Sequence, residues 1–385
     1  MRGTCGLALL IATAFAIAAR ASSSLEDTFW PKSLPAQGPP PSHWSDLEKS
    51  LSPDACGQCH AEQLAQWQSS RHAHAMSPGV LGQLLDLSTS DAAECLQCHA
   101  PLAEQRTAFE QARARGTGHR IDQLGLAAAG NACGGCHLRA NRRFGPPPRG
   151  TGAPGARAAH DGATRTDYFE KSEFCMRCHQ FPADRAVNGK PLENTYAEWQ
   201  ASPQAAQGIT CQTCHMPDRR HLWRGIHDPD TVRAGLTVRT IAGERGARFE
   251  ITNSGVGHAF PTYVTPKVVM HAVALDQAGV PQTDTARMKI IARRVRYRQD
   301  TWSEISDSRL LPMRTASLEI PWQNFERIRV WLEIIPDDYY ATEVFPTLLR
   351  DGSVSLESSH LIARAAADAA SSGYVLFRTD LRRPR

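Results

Sequence analysis

The chain has 385 residues, 41% hydrophobic, 21% charged and only 7% aromatic, which suits a folded protein of two or three domains and excludes wholesale disorder. A formal charge of +4 is too small to argue for a nucleic-acid partner. Eleven cysteines are the unusual number.

Residues 1–21 open with Arg2, run apolar from Leu7 to Ala19 and end in small residues around Ala21. The run is short for a membrane span and predicts a secretory signal peptide. The mature chain is therefore expected to be exported and periplasmic, with outer-membrane association or an extracellular site as variants of the same expectation. Residues 22–50 are rich in Pro and Ser and read as a linker. Once Cys5 leaves with the signal segment, ten cysteines remain.

Those ten form five copies of one pattern. They are Cys56-Gly-Gln-Cys59-His60, Cys95-Leu-Gln-Cys98-His99, Cys133-Gly-Gly-Cys136-His137, Cys175-Met-Arg-Cys178-His179 and Cys211-Gln-Thr-Cys214-His215. Each is C-x-x-C-H, the attachment signature of c-type haem. Two thiols three positions apart on one helical turn reach the two vinyl groups of a porphyrin, and the adjacent imidazole reaches the iron. Zinc sites would pair the motifs without requiring His after every second Cys, and dithiol redox chemistry needs only one motif. Five covalent haem c groups are expected, within a domain spanning 51–229. The first cysteines are 39, 38, 42 and 36 residues apart, which leaves too little chain to wrap each haem singly. The haems must pack against one another. Within this stretch, 143–165 is a Pro-, Gly- and Ala-rich loop.

Ten histidines lie outside the motifs, enough to supply a second axial ligand to every iron. His72, on a helix that follows the first motif, is the leading choice. His74 would face elsewhere on that helix. His227 follows a glycine after the last motif, and His258 sits in the glycine-flanked loop Gly255–Thr262. His119 and His160 are each alone between motifs. His271 lies in a strand pattern and reads as structural, while His43 and His360 lie at the edges. The segment Ala65-Gln-Trp67-Gln-Ser-Ser70 recurs as Ala197-Glu-Trp199-Gln-Ala-Ser202, with Gln204 at the position matching His72. Both tryptophans read as packing residues.

Residues 230–385 contain no cysteine, and the pattern turns to strands at 236–252, 268–275 and 328–334. Asp351-Gly352 reads as a hairpin turn and Leu361–Ala370 as a helix. The fold class expected is α+β: a mainly α, loop-rich multihaem domain at 51–229, then a β-sandwich-like domain at 230–385.

The five motifs, Trp67-Gln-Ser-Ser-Arg-His72, Cys175-Met-Arg-Cys-His179-Gln-Phe and Gly208-Ile-Thr-Cys-Gln-Thr-Cys-His215-Met-Pro resemble bacterial multihaem c-type cytochromes. The nearest group contains the tetrahaem cytochromes and the hydroxylamine oxidoreductase-like proteins, over about residues 50–275. Gly257-His258-Ala-Phe-Pro261-Thr262 resembles a loop of the β-domain that follows the haems in some of these. The resemblance implies a distal-ligand role for His72 and axial roles for His227 and His258. Pentahaem nitrite reductases carry a lysine in one motif, whereas all five here end in His. Hydroxylamine oxidation in the resembled enzymes uses more haems and a crosslinked trimer. The expected function is therefore electron transfer through five mostly bis-His haems, with no catalytic residue assigned. The alternative is an oxidoreductase acting on a small nitrogen or sulfur compound at one five-coordinate haem. Expected partners are redox proteins or a membrane quinol-oxidising complex, with homo-oligomerisation open and no nucleic acid. With five ferric haems and no signal segment the protein would carry about −3.

Overall fold

The computed structural model describes residues 29–31, 33–149, 159–299 and 301–385. The expected signal segment and residues 150–158 of the Gly/Ala loop lie outside the described residues.

Short helices and turns make up the first part, and every motif is carried on one. The motif helices are α1 (Pro53–Gly57), α4 (Thr89–His99), α6 (Cys133–His137), α7 (Glu173–His179) and α9 (Cys211–His215), interleaved with α2 (Ala61–Gln68), α3 (Pro78–Leu84), α5 (Ala103–Ala114) and α8 (Thr195–Gln200). Local chemistry starts them. The Ser52 hydroxyl accepts from Asp54 N with Pro53 in the first turn, Ser88 caps α4 through Asp91 N, and Thr210 caps α9 through Thr213 N. α1 ends at Gly57, yet His60 N still donates to Cys56 O at 2.9 Å, so the first motif keeps its helical spacing. The largest core here gathers Leu81, Leu84, Leu96 and Phe109, all almost fully buried.

From residue 236 the chain turns to antiparallel strands. β1 (Leu236–Ala242), β2 (Gly246–Asn253) and β7 (Thr315–Pro321) form a three-stranded sheet in the order β7-β2-β1. β3 (Lys267–Leu275), β4 (Pro281–Ile291), β8 (Arg327–Ile335) and β9 (Tyr374–Arg382) form a four-stranded sheet in the order β9-β8-β3-β4. β8 alternates buried and half-buried residues along its length, the period-2 pattern of a strand with one face in the core. Phe249, Ile251, Met270, Ile328, Val330 and Leu332 from both sheets share one core. β5 (Arg293–Arg298) and β6 (Thr301–Asp307) form a separate ribbon. The fold is α+β.

One turn reads differently in three dimensions. Asp351-Gly352 joins two helices, α10 (Phe345–Arg350) and α11 (Leu356–Ala370), rather than two strands. Gly352 takes φ 62°, the left-handed residue that commonly ends a helix. α11 begins earlier than the sequence pattern suggests and packs on α3. A β-carbon at Gly82 would stand 2.8 Å from Ile362, and one at Gly79 would stand 2.8 Å from Phe345. The strand-rich region is therefore fastened to the helical one. Buried Arg293 adds a second clasp: it donates to the Val187 and Lys190 carbonyls, each at 2.9 Å, and pairs with Glu304 at 2.8 Å.

Candidate functional site

None of the ten motif cysteines is paired in a disulfide, and the fold brings thiols of different motifs side by side. The Cys56 and Cys133 thiols are hydrogen-bonded, joining the first motif to the third. Cys98 bonds Cys178, joining the second to the fourth, and Cys175 bonds Cys211, joining the fourth to the fifth. Cys136 of the third motif acts electrostatically on both Cys175 and Cys178. The connections make a branched path in which the fourth motif meets the second, third and fifth.

The motif imidazoles are prepared as ligands. Nδ1–H of His99 donates to the Ala75 carbonyl at 2.7 Å, that of His137 to Phe144 at 2.8 Å, and that of His215 to Arg224 at 2.7 Å. This fixes each ring and leaves Nε2 for a metal. Burial pushes the pKa of His99, His137, His179 and His215 below the ordinary value, favouring the neutral form that binds metal.

Three motif imidazoles face a second histidine. The ring centres of His72 and His179 are 6.3 Å apart, those of His221 and His137 6.1 Å, and those of His258 and His215 6.3 Å. Metal–nitrogen bonds of about 2.0 Å, with each ring centre about 1.1 Å beyond its nitrogen, put two imidazoles across one metal about 6.2 Å apart. The pairs therefore fit an iron between them, with ring planes 49°, 37° and 9° from parallel in the same order. Burial, helped by His179 and His215, holds His72 at about 3. Burial and His137 hold His221 at about 4, and burial with His215 does the same for His258.

Placement of these rings is traceable. Trp67 donates Nε1–H to the Asn131 carbonyl and Trp199 to the Ile209 carbonyl, both at 2.9 Å. Each acceptor lies two residues before a motif, the third and the fifth. The repeated tryptophan segments are thus equivalent clasps, holding the chain as it enters an attachment helix. Asn131 N also donates to His72 O at 2.9 Å. Gly130 permits that approach, since it takes φ 59° and its β-carbon would lie 2.7 Å from His72 O. The His258 loop is held by Glu198, which accepts from Ala259 N at 3.1 Å and pairs with Arg309 at 3.0 Å, both carboxylate and guanidinium being buried.

The other histidines expected as ligands are placed differently. His227 Nε2 binds Asp337 at 2.9 Å, while the ring of His221, six residues earlier, faces that of His137. His119 lies in a surface cavity with His360 and Leu361, away from the motifs. His160 is tied to the segment before the first motif: its N–H donates to Glu48 Oε1 at 2.7 Å, and Arg143, which donates to the Glu48 carbonyl, acts on the Cys56 thiol. His160 Nδ1–H donates to the Gly162 carbonyl at 3.2 Å, the same fixing bond the motif imidazoles make. His271 pairs with Glu333 at 2.9 Å and stacks on Trp331, the structural role its strand position suggests.

Residues 55–137, which hold the first three motifs, match the family described as cytochrome c554 and c-prime. A crystal structure of a penta-heme cytochrome c552 from Thermochromatium tepidum has a similar fold, with a TM-score of 0.61 over 88% of this chain and 100% of that one at 19% identity. Comparison with curated proteins gave no match. With the motif chemistry, these likenesses support a multihaem c-type cytochrome holding covalent haem c.

Proposed function

We propose that the chain binds five haem c groups, one per motif, and passes electrons along the branched path of its motifs after export to the periplasm. His60, His99, His137, His179 and His215 are the proximal ligands. His72 caps the fourth iron, His221 the third and His258 the fifth, while His160 serves the first. Haem supplies reversible one-electron chemistry when bound. The protein supplies axial imidazoles, burial and neighbouring charge, the levers that set each potential. Adjacent motifs make their potentials interact, so the irons titrate as a coupled set.

The observation that carries this reading is the spacing of the three imidazole pairs. Redox proteins or a membrane quinol-oxidising complex are the partners it needs, docking through charged rims around haem edges. The test combines haem content per chain with a spectroscopic redox titration. Five haems reduced over a broad range of potentials support the proposal. A content of three or fewer, or ten thiols that remain titratable in protein matured with its attachment machinery, would refute it.

A further inference from the structure

The ribbon β5–β6 turns a row of arginines outward. Its ladder sets Arg294 opposite Ser306, Arg296 opposite Ser303 and Arg298 opposite Thr301, and all of these residues are exposed. Alternate residues of a strand share one face at a pitch of about 6.6 Å, so the three arginines stand in line with a hydroxyl beside each. The pairs between them, Val295–Glu304 and Tyr297–Trp302, belong to the opposite face. There Val295 is buried with Val187, Leu192 and Val264, and Trp302 packs on the same cluster.

The carboxylates of the two strands are used on the inner side. Glu304 pairs with Arg293 and Lys190, and Asp307 pairs with Lys190 at 2.7 Å and Arg309 at 2.9 Å. Among the described residues no carboxylate pairs with Arg294, Arg296 or Arg298; Asp300, between the strands in sequence, lies outside them. A protein of about −3 overall therefore presents a local cationic face. Its backing is fixed, because Arg293 donates to the Val187 and Lys190 carbonyls, in the segment that follows the fourth motif. Phe181, two residues after His179, packs on the cluster beneath the ribbon. The chain that leaves the branch point thus supports the arginine face.

Given that the motifs carry haem and pass electrons, we propose that this face docks an acidic redox protein, whose carboxylates pair with Arg294, Arg296 and Arg298. Arginine takes a carboxylate through two parallel N–H bonds, and the row suits carboxylates on alternate residues of an extended segment, which repeat at the same pitch. An anionic membrane surface would call for apolar side chains on the same face as the cations. Hydroxyls hold those positions, the Tyr297–Trp302 pair stands on the other face, and Ile305, the extra residue of a bulge, is the exposed apolar side chain of β6.

Flavodoxin, an acidic electron carrier, serves as the probe. Its hydroquinone is mixed with the oxidised holoprotein in a stopped-flow, where one electron leaves the flavin for each ferric haem reduced. The second-order rate should fall as salt is raised. Arg296→Glu should slow it about tenfold at low salt, whereas Arg364→Glu, an equal charge change at an exposed position of α11, should slow it less than about twofold. The pair Arg294→Ser and Arg298→Ser stands in where Arg296→Glu fails to mature. Photoreduced riboflavin, too small to need a docking face, should reduce every variant alike. Equal slowing by Arg296→Glu and Arg364→Glu, or slowing by neither, would overturn the proposal. Sedimentation with phosphatidylglycerol vesicles that Arg296→Glu abolishes, at an unchanged flavodoxin rate, would overturn it in favour of a membrane. Haems that neither flavodoxin nor riboflavin reduces would instead count against the electron-transfer reading on which the docking rests.

Discussion

His258 is held at its post by a carboxylate sixty residues away. Glu198 accepts from the N–H next to it and is itself neutralised by Arg309, which keeps a second partner in Asp307 at 2.9 Å. Glu198→Gln should therefore cost about 1–3 kcal/mol, less than a fully orphaned buried charge would. It should also disturb the low-spin signal of the fifth iron more than any other, which EPR and urea unfolding together can check. Glu193 gives a pH signature. Burial raises its carboxyl to about 7 in the folded protein, so the fold binds a proton that the unfolded chain has released. The stability this adds is complete below the ordinary carboxylate range and disappears as pH rises through about 7. Glu193→Gln should flatten that part of the pH–stability profile, and an unchanged profile would contradict the assignment. Residue reading singled out His72 and His258, because each stands in a distinctive local setting, a tryptophan helix or a glycine loop, and the fold places both opposite motif imidazoles. It singled out His227 for the glycine before it and the aspartate after it, and His221 carried no such mark. What separates the two is Asp337, 110 residues further on, which takes His227 away.

Elements divide into those that hold the irons and those that hold the molecule together. Gly130 belongs to the first kind. An alanine there is strained by the left-handed backbone and presses on His72 O, so Gly130→Ala should raise a high-spin component from the fourth iron. Gly82 belongs to the second. Gly82→Val forces α3 away from Ile362 on α11, with an expected loss of about 1–3 kcal/mol and an unaltered EPR spectrum. The motif helices were legible because their spacing is dictated by porphyrin chemistry, and β8 because its alternation is regular. The pair α10–α11 was not. Asp-Gly marks a reversal of the chain but says nothing about whether strands or helices are joined, and the packing against α3 decides that. The equivalence of the Trp67 and Trp199 segments showed in sequence as repetition. Only the acceptors, Asn131 and Ile209, reveal what both copies do.

At the scale of the molecule, motif connections make a branch point rather than a line. The fourth motif is hydrogen-bonded to the second and fifth and lies within electrostatic range of the third, so in the proposed path an electron entering at the first has two ends open to it. The region without cysteines closes this arrangement by delivering His258, and it is clasped to the helical region through Arg293 and α11. Low-temperature EPR of the fully oxidised holoprotein, with haem content quantified, tests this account most directly. It predicts five haems per chain, with the third, fourth and fifth irons low-spin. One low-spin signal should show the rhombic form given by nearly parallel imidazoles, and His258→Ala should remove it, since the rings of His215 and His258 are 9° apart. Low-spin intensity below three haems per chain, or a rhombic signal that survives His258→Ala, would contradict it.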